Sequence, residues 1–169
     1  MKRWHCHTVT LKNPIIPVSS AGGLIYFYDD IYRDTYVCNP LTQSLKKLPD
    51  GSLNGRLFRS GMIANESGSY KVLRLSPSGE YEIYDSTTKC WSPRGTLPAY
   101  IKLPRFIFTD NVSIDNTIYY KHEAPIGIVS CDTSTGVWTQ HLISLPLRSY
   151  DLKLAECDEG IMSVGMLSH

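Results

Sequence analysis

Histidine, cysteine and tyrosine carry most of the reactive chemistry in this sequence, and its 169 residues hold five, five and eleven of them. The densest group is His5-Cys6-His7. Alternate residues of an extended segment can offer two donors to one metal, but a zinc site needs a second spaced pair, and none follows. The segment is read as an irregular terminus, and no metal is expected. A copper oxidase would gather tyrosine, histidine and cysteine ligands around one ion, and no spacing here demands that. The Gly-x-Ser-x-Gly nucleophile elbow is absent, as are Gly-x-Gly-x-x-Gly and a phosphate loop. The chain is not expected to be an enzyme or to hold a cofactor.

What the residues offer instead is recognition. Asp29, Asp30, Tyr32, Arg33, Arg56, Arg59, Lys102, Arg105, His122, Glu123, Arg148 and Tyr150 fall in polar stretches between apolar runs. Arginine and tyrosine are typical anchors of protein interfaces. Loops held on a rigid scaffold are where such anchors collect.

The scaffold is a repeat. Glu82 to Trp91 runs as a short apolar strand, an acidic residue at Asp85, a polar turn with threonine, and an aromatic six places on. The same form recurs from Val37 through Asn39 to Leu45, and from Val129 through Asp132 to Trp138. Asn39 and Asp85 are 46 residues apart, and Asp85 and Asp132 are 47 apart. A Leu-Pro pair closes each copy, at Leu48-Pro49, Leu97-Pro98 and Leu145-Pro146. Cys38 and Cys131 precede Asn39 and Asp132, which marks them as small apolar slots in equivalent strands.

Short alternating runs bounded by Gly, Pro, Asn and Asp predict strands near 15–19, 24–28, 35–38 and 45–48 in the first copy. The second copy predicts 60–64, 70–75, 81–84 and 90–92, and the third 111–114, 117–121, 127–131 and 137–143. A fourth copy begins near 152–156 and 160–164. Asp115-Asn116 suits a two-residue turn, and Gly22-Gly23 marks the same turn earlier. Leu24 and Ile118 stand 94 residues apart, which aligns them as counterparts two repeats distant. Four strands per period of about 40–50 residues is the pattern of a β-propeller blade. The expected division is an irregular 1–14, blades at 15–49, 50–98 and 99–146, and the start of a fourth at 147–169.

In such an array Trp91 and Trp138 wedge between blades, and Leu45 fills that slot less heavily. Asn39, Asp85 and Asp132 cap the preceding turn, with the threonine three places on bonding back. The short turns share one face. The connections 29–34, 76–80, 122–125, 51–59, 99–105 and 147–151 share the other, and carry these recognition residues.

Hydrophobic residues at 42% and charged residues at 20% lie in the globular range. Net charge is +1 without a basic stripe, so nucleic acid is not an expected partner. No apolar run is long enough for a membrane span, and no signal pattern follows Met1. Nucleus or cytoplasm is expected. An odd number of cysteines without paired spacing fits a reducing compartment. The Asn65-Glu66-Ser67 and Asn111-Val112-Ser113 sequons carry little weight there.

Ser-Ser-Ala-Gly-Gly-Leu-Ile at 19–25 and Val-Cys-Asn-Pro-Leu-Thr-Gln-Ser-Leu-Lys-Lys-Leu-Pro at 37–49 resemble the plant F-box/kelch-repeat proteins. Tyr-Lys-Val-Leu at 70–73, Tyr-Glu-Ile-Tyr-Asp-Ser at 81–86, Gly-Ile-Val-Ser-Cys-Asp-Thr-Ser-Thr-Gly-Val-Trp at 127–138 and Leu-Ala-Glu-Cys at 154–157 extend the likeness. The resemblance implies an all-β fold: a partial kelch-type propeller of about three and a half four-stranded antiparallel blades. It also implies an adaptor for an SCF-type ubiquitin ligase, in which an F-box binds a Skp-type linker and cullin while the propeller holds a protein substrate. This chain is expected to lack the F-box, so linker and cullin are reached only through that missing segment. Because some kelch propellers house oxidases, an oxidase-like enzyme is one alternative, and a truncated non-functional fragment another. An open propeller exposes blade faces and a sheet edge, so self-association is expected.

Overall fold

The computed structural model describes residues 15–53, 59–103, 111–123, 126–142, 149–157 and 160–167, and these contain strands and turns but no helix. The first sheet orders β1 (Ile16–Ala21), β2 (Leu24–Tyr28), β3 (Thr35–Asn39) and β4 (Ser44–Lys47) consecutively. The second orders β5 (Arg59–Ala64), β6 (Tyr70–Leu75), β7 (Glu80–Asp85) and β8 (Cys90–Trp91), with β9 (Gly95–Thr96) also paired to β7. The third comprises β10 (Asn111–Ile114), β11 (Thr117–Glu123), β12 (Ile126–Asp132) and β13 (Trp138–Leu142). β14 (Ser149–Cys157) and β15 (Gly160–Leu167) pair as a hairpin. All pairings are antiparallel. The first strands stand side by side in the order β1, β5, β10, β14. The fold is all-β, a partial kelch-type propeller that these sheets do not close into a ring.

Turn chemistry sets the register of each sheet. Gly22 and Gly23 take φ of 54° and 76°, so Ala21 pairs with Leu24 across a two-residue turn. Asp115, at φ 51°, serves the same turn between Ile114 and Thr117. Asn39, Asp85 and Asp132 cap the turn that follows them, a correction to the preceding turn expected above. Asn39 Oδ1 accepts from the Leu41 and Thr42 amides, Asp85 Oδ1 from Thr87, and Asp132 Oδ1 from Ser134 and Thr135. Four residues beyond each, Gln43, Lys89 and Gly136 adopt positive φ and bring the chain back antiparallel.

Those two amide bonds hold the Asp132 carboxyl below its usual range. A folded-state pKa that is depressed stabilises above the unfolded carboxylate value and loses that stabilisation as pH falls through the folded value. Asp132→Ala is expected to cost about 0.5–1.5 kcal/mol at neutral pH, the net worth of such bonds. Asp132→Asn keeps the acceptor, as Asn39 does, and loses the acid dependence below about pH 4. Urea titrations of the three proteins at pH 7 and pH 3 check this. Equal losses in both variants would show that the charge, not the acceptor, matters.

The register also moves the repeat alignment by one place. Ile25 pairs with Cys38 as Ile118 pairs with Cys131, so the counterpart of Ile118 is Ile25 and that of Leu24 is Thr117. A slip of one residue exchanges the two faces of a strand, so the 94-residue alignment assigned the wrong face.

The core lies between sheets. Val18, Tyr26 and Val37 of the first sheet meet Met62, Val72 and Tyr84 of the second, with Trp91 partly buried at the rim. Ile63, Leu73 and Ile83 meet Ile118, Val129 and Trp138 of the third. β5 shows no alternation because both its faces are covered, Met62 toward one neighbour and Ile63 toward the other. Both tryptophans reach back toward the preceding sheet. Trp91 Nε1 donates to the Pro49 carbonyl at 2.8 Å, and Trp138 lies against Tyr81 and Tyr120 at centroid distances of 5.5 and 5.9 Å. Leu45, in the same slot, is 38% exposed.

The cysteine slots are filled as their spacing suggests. Cys38 and Cys131 are buried and Cys90 is exposed. Burial pushes the Cys131 thiol up to about 12. Since the thiolate is the nucleophile, iodoacetamide at pH 8 is expected to alkylate Cys90 and spare Cys131 until denaturant is added. Peptide mapping reads the result, and rapid native labelling of Cys131 would contradict the packing.

Candidate recognition groove

The connection between β2 and β3 is a rigid tip. The Asp29 amide donates to the Asp34 carbonyl at 2.8 Å, closing its base. The Asp29 carboxylate accepts from the Ile31 and Tyr32 amides at 2.9 and 3.0 Å. Arg33 completes the turn at φ 62°. This cap turns Ile31 and Tyr32 outward, each 65% exposed. Large apolar side chains held outward by a capped loop have the character of interface anchors.

Below the tip, at the junction of the first two sheets, a cavity of about 460 Å³ opens to solvent. Tyr28, Tyr32, Arg33 and Lys47 form one side, the strap Pro49–Gly51 and Leu53 another, and Arg74, Leu75 and Ser76 the third. Asp34 pairs with Lys47 at 2.7 Å and accepts from the Tyr36 hydroxyl at 3.2 Å. The floor holds a buried ion pair. Arg74 donates through Nε and Nη2 to Glu82 Oε1 across the β6–β7 ladder. Glu82 is completely buried, and its Oε2 accepts from the Ser52 amide and hydroxyl at 2.9 and 2.8 Å. The Arg74 guanidinium also lies 4.3 Å from the Trp91 ring centroid. Gly51 passes so close that a Cβ there would collide with Glu82 Oε1 and Arg74 Nη2. Only glycine lets the strap seal this pair.

The structure gathers few of the residues singled out from the sequence. Tyr32 and Arg33 line the groove, and Asp30 is exposed beside them. Asp29 is buried and shapes the tip from within. Arg59 opens β5 and is 6% exposed, so it is a strand residue rather than a loop contact. His122 is buried in β11, where its Nε2 accepts from the Lys102 amide at 2.9 Å, while Lys102 itself is exposed. As solvent-facing contacts, Asp29, Arg59 and His122 are thus corrected. Arg56, Arg105 and Arg148 lie outside the described residues, as do His5, Cys6 and His7. Tyr150 and Glu123 fall in β14 and β11. One connection expected to be long is tight, since Gly79 donates back to Ser76 at 3.0 Å, and in the third sheet Glu123 of β11 pairs directly with Ile126 of β12.

Sequence reasoning passed over Lys47, Asp50, Gly51 and Arg74. A signal for Arg74 existed. In register, Arg74–Glu82 occupies the place of Phe27–Tyr36 in the first sheet and Tyr120–Val129 in the third. A charged pair where both neighbouring copies are apolar is not one that packing requires. Among the described residues, no three His, Cys, Asp or Glu side chains converge as a metal site would require.

No family model matches the chain. It is similar to F-box only protein 6 of Arabidopsis thaliana, at 40% identity over 177 residues, covering 99% of this chain and 38% of that protein. Similarity extends to F-box only protein 13 of the same plant, at 26% identity over 93% of this chain and 44% of the relative. An F-box/kelch-repeat protein of that plant is 29% identical over 72% of this chain and 32% of its own length. The chain therefore spans less than half the length of the curated relatives it matches.

Proposed function

From its homology to the plant F-box and F-box/kelch-repeat proteins, the family to which this chain belongs, we propose that it is the substrate-holding region of an F-box adaptor. The adaptor would serve an SCF-type ubiquitin ligase in nucleus or cytoplasm. An F-box would recruit the Skp-type linker and cullin, and the sheets described above would hold the protein substrate. The observation that carries this reading is the groove between the first two sheets, under the Asp29-capped tip. It joins a rigid frame to exposed Ile31 and Tyr32, an arrangement suited to holding a protein segment rather than transforming it.

Quantitative affinity capture from plant extract tests the groove. Tyr32→Ala is expected to lose specific partners at least about tenfold, the effect of removing an interface anchor. Lys89→Ala, in an exposed turn at the opposite end of the sheets, is expected to keep them. If Tyr32→Ala retained every partner while Lys89→Ala lost them, the binding face would be the other one.

A further inference from the structure

Resting on that reading, we infer that the groove selects a segment bearing a glutamate or aspartate side chain, read by Arg74 and Arg33. Arg74 commits Nε and Nη2 to Glu82 and stacks on Trp91, while its Nη1 makes no hydrogen bond among the described residues. The side chain is 8% exposed and lines the cavity, so this donor edge belongs to a desolvated floor. Arg33 lines the same cavity, and its guanidinium likewise makes no hydrogen bond or ion pair among the described residues. Lys47, the third cation on the wall, is occupied by Asp34 at 2.7 Å.

Guanidinium groups of this kind match a planar carboxylate, and the low-dielectric floor strengthens the charge-assisted bond. Asp34 and Asp50 also line the cavity. Their negative charge disfavours a phosphoryl dianion more than a single carboxylate, so the acidic side chain is the fitting occupant. Tyr32, Pro49 and Leu53 supply apolar surface beside it for a neighbouring hydrophobic residue.

The test uses the full chain and fluorescein-labelled heptapeptides from a Leu/Phe-flanked library with Glu, Gln or phosphoserine at the centre, read by polarisation. Glu peptides are expected to bind about tenfold or more tighter than their Gln counterparts, as a charge-assisted bond requires. That advantage should shrink with added salt and disappear in Arg33→Gln. A second variant, Arg74→Phe with Glu82→Tyr, installs the pair the first sheet carries in register and removes the floor guanidinium. It should abolish the preference for Glu, and should it fail to fold, Arg33→Gln and the Glu-to-Gln comparison decide alone. Equal binding of Glu and Gln peptides would overturn the acidic selection while leaving a peptide-holding groove. Tighter binding of phosphoserine peptides would overturn the carboxylate assignment. If no peptide bound, yet Tyr32→Ala still lost partners in extract, this inference would fall and the adaptor reading would stand.

Discussion

Trp138→Ala is expected to lower the unfolding free energy by about 3–5 kcal/mol, the usual cost of emptying a buried aromatic site. The indole is 6% exposed, lies edge-on to Tyr81 and stacks on Tyr120, and belongs to a core shared by the second and third sheets. A single four-stranded sheet cannot bury its own faces, so the wedge between two sheets carries a disproportionate share of the stability. The same slot gives an internal scale. Trp91, partly buried and bonded to the Pro49 carbonyl, should cost less than Trp138 when truncated. Leu45, 38% exposed, should cost least, about 1–2 kcal/mol, because more than a third of its surface stays in water and that share of the transfer energy is never gained. Urea unfolding followed by far-ultraviolet circular dichroism ranks the three. A Trp138 variant as mild as the Leu45 one would remove the basis for an array of sheets packed through their aromatic wedges.

The second large effect lies under the groove. Arg74→Met leaves the fully buried Glu82 carboxylate without its counter-charge, and a loss of about 3–5 kcal/mol is expected. Glu82→Leu strands the guanidinium and the Ser52 donors, and should be comparably damaging. The double variant replaces an ion pair by apolar side chains of similar bulk and should recover much of the loss. Desolvating two charges offsets most of what their attraction gains, so the pair as a whole is worth far less than either half alone. The cycle should therefore give a coupling energy of at least about 2 kcal/mol. Strictly additive losses would mean that the two residues act through separate contacts. The framework does not need this pair for packing, since Phe27–Tyr36 and Tyr120–Val129 fill the corresponding places elsewhere. Retaining charge there makes sense if the floor of the groove has something to recognise.

How far the sequence could be read depended on whether the information was local. The strands came through because each run of alternating side chains is bounded by its own turn residues, and β6 and β10 match their expected limits. The broken outer strand of the second sheet was not legible. Pro93 has no amide to donate, so the edge splits into β8 and β9, and at the break the Ile83 amide donates to the Ser92 hydroxyl, which donates in turn to the Pro93 carbonyl. The recognition residues were chosen by type and loop position, and that criterion cannot distinguish an outward side chain from an inward one. Asp29 sits in a loop yet turns inward to hold the backbone, and His122 belongs to a strand that runs further than its apolar pattern shows.

Spacing alone determined that the chain is a repeat of four-stranded units with a large apolar wedge six places after each Asn or Asp, tryptophan in two copies and Leu45 in the first, because those signals recur at intervals set by backbone geometry. Tertiary structure decided which residues line the proposed groove. Ser52 and Glu82 are 30 residues apart and Trp91 and Pro49 are 42 apart, and only sheet-on-sheet packing brings them together. That packing seals a charge pair beneath a strap, places Arg74 on the wall of a cavity, and so turns a framework position into a candidate site.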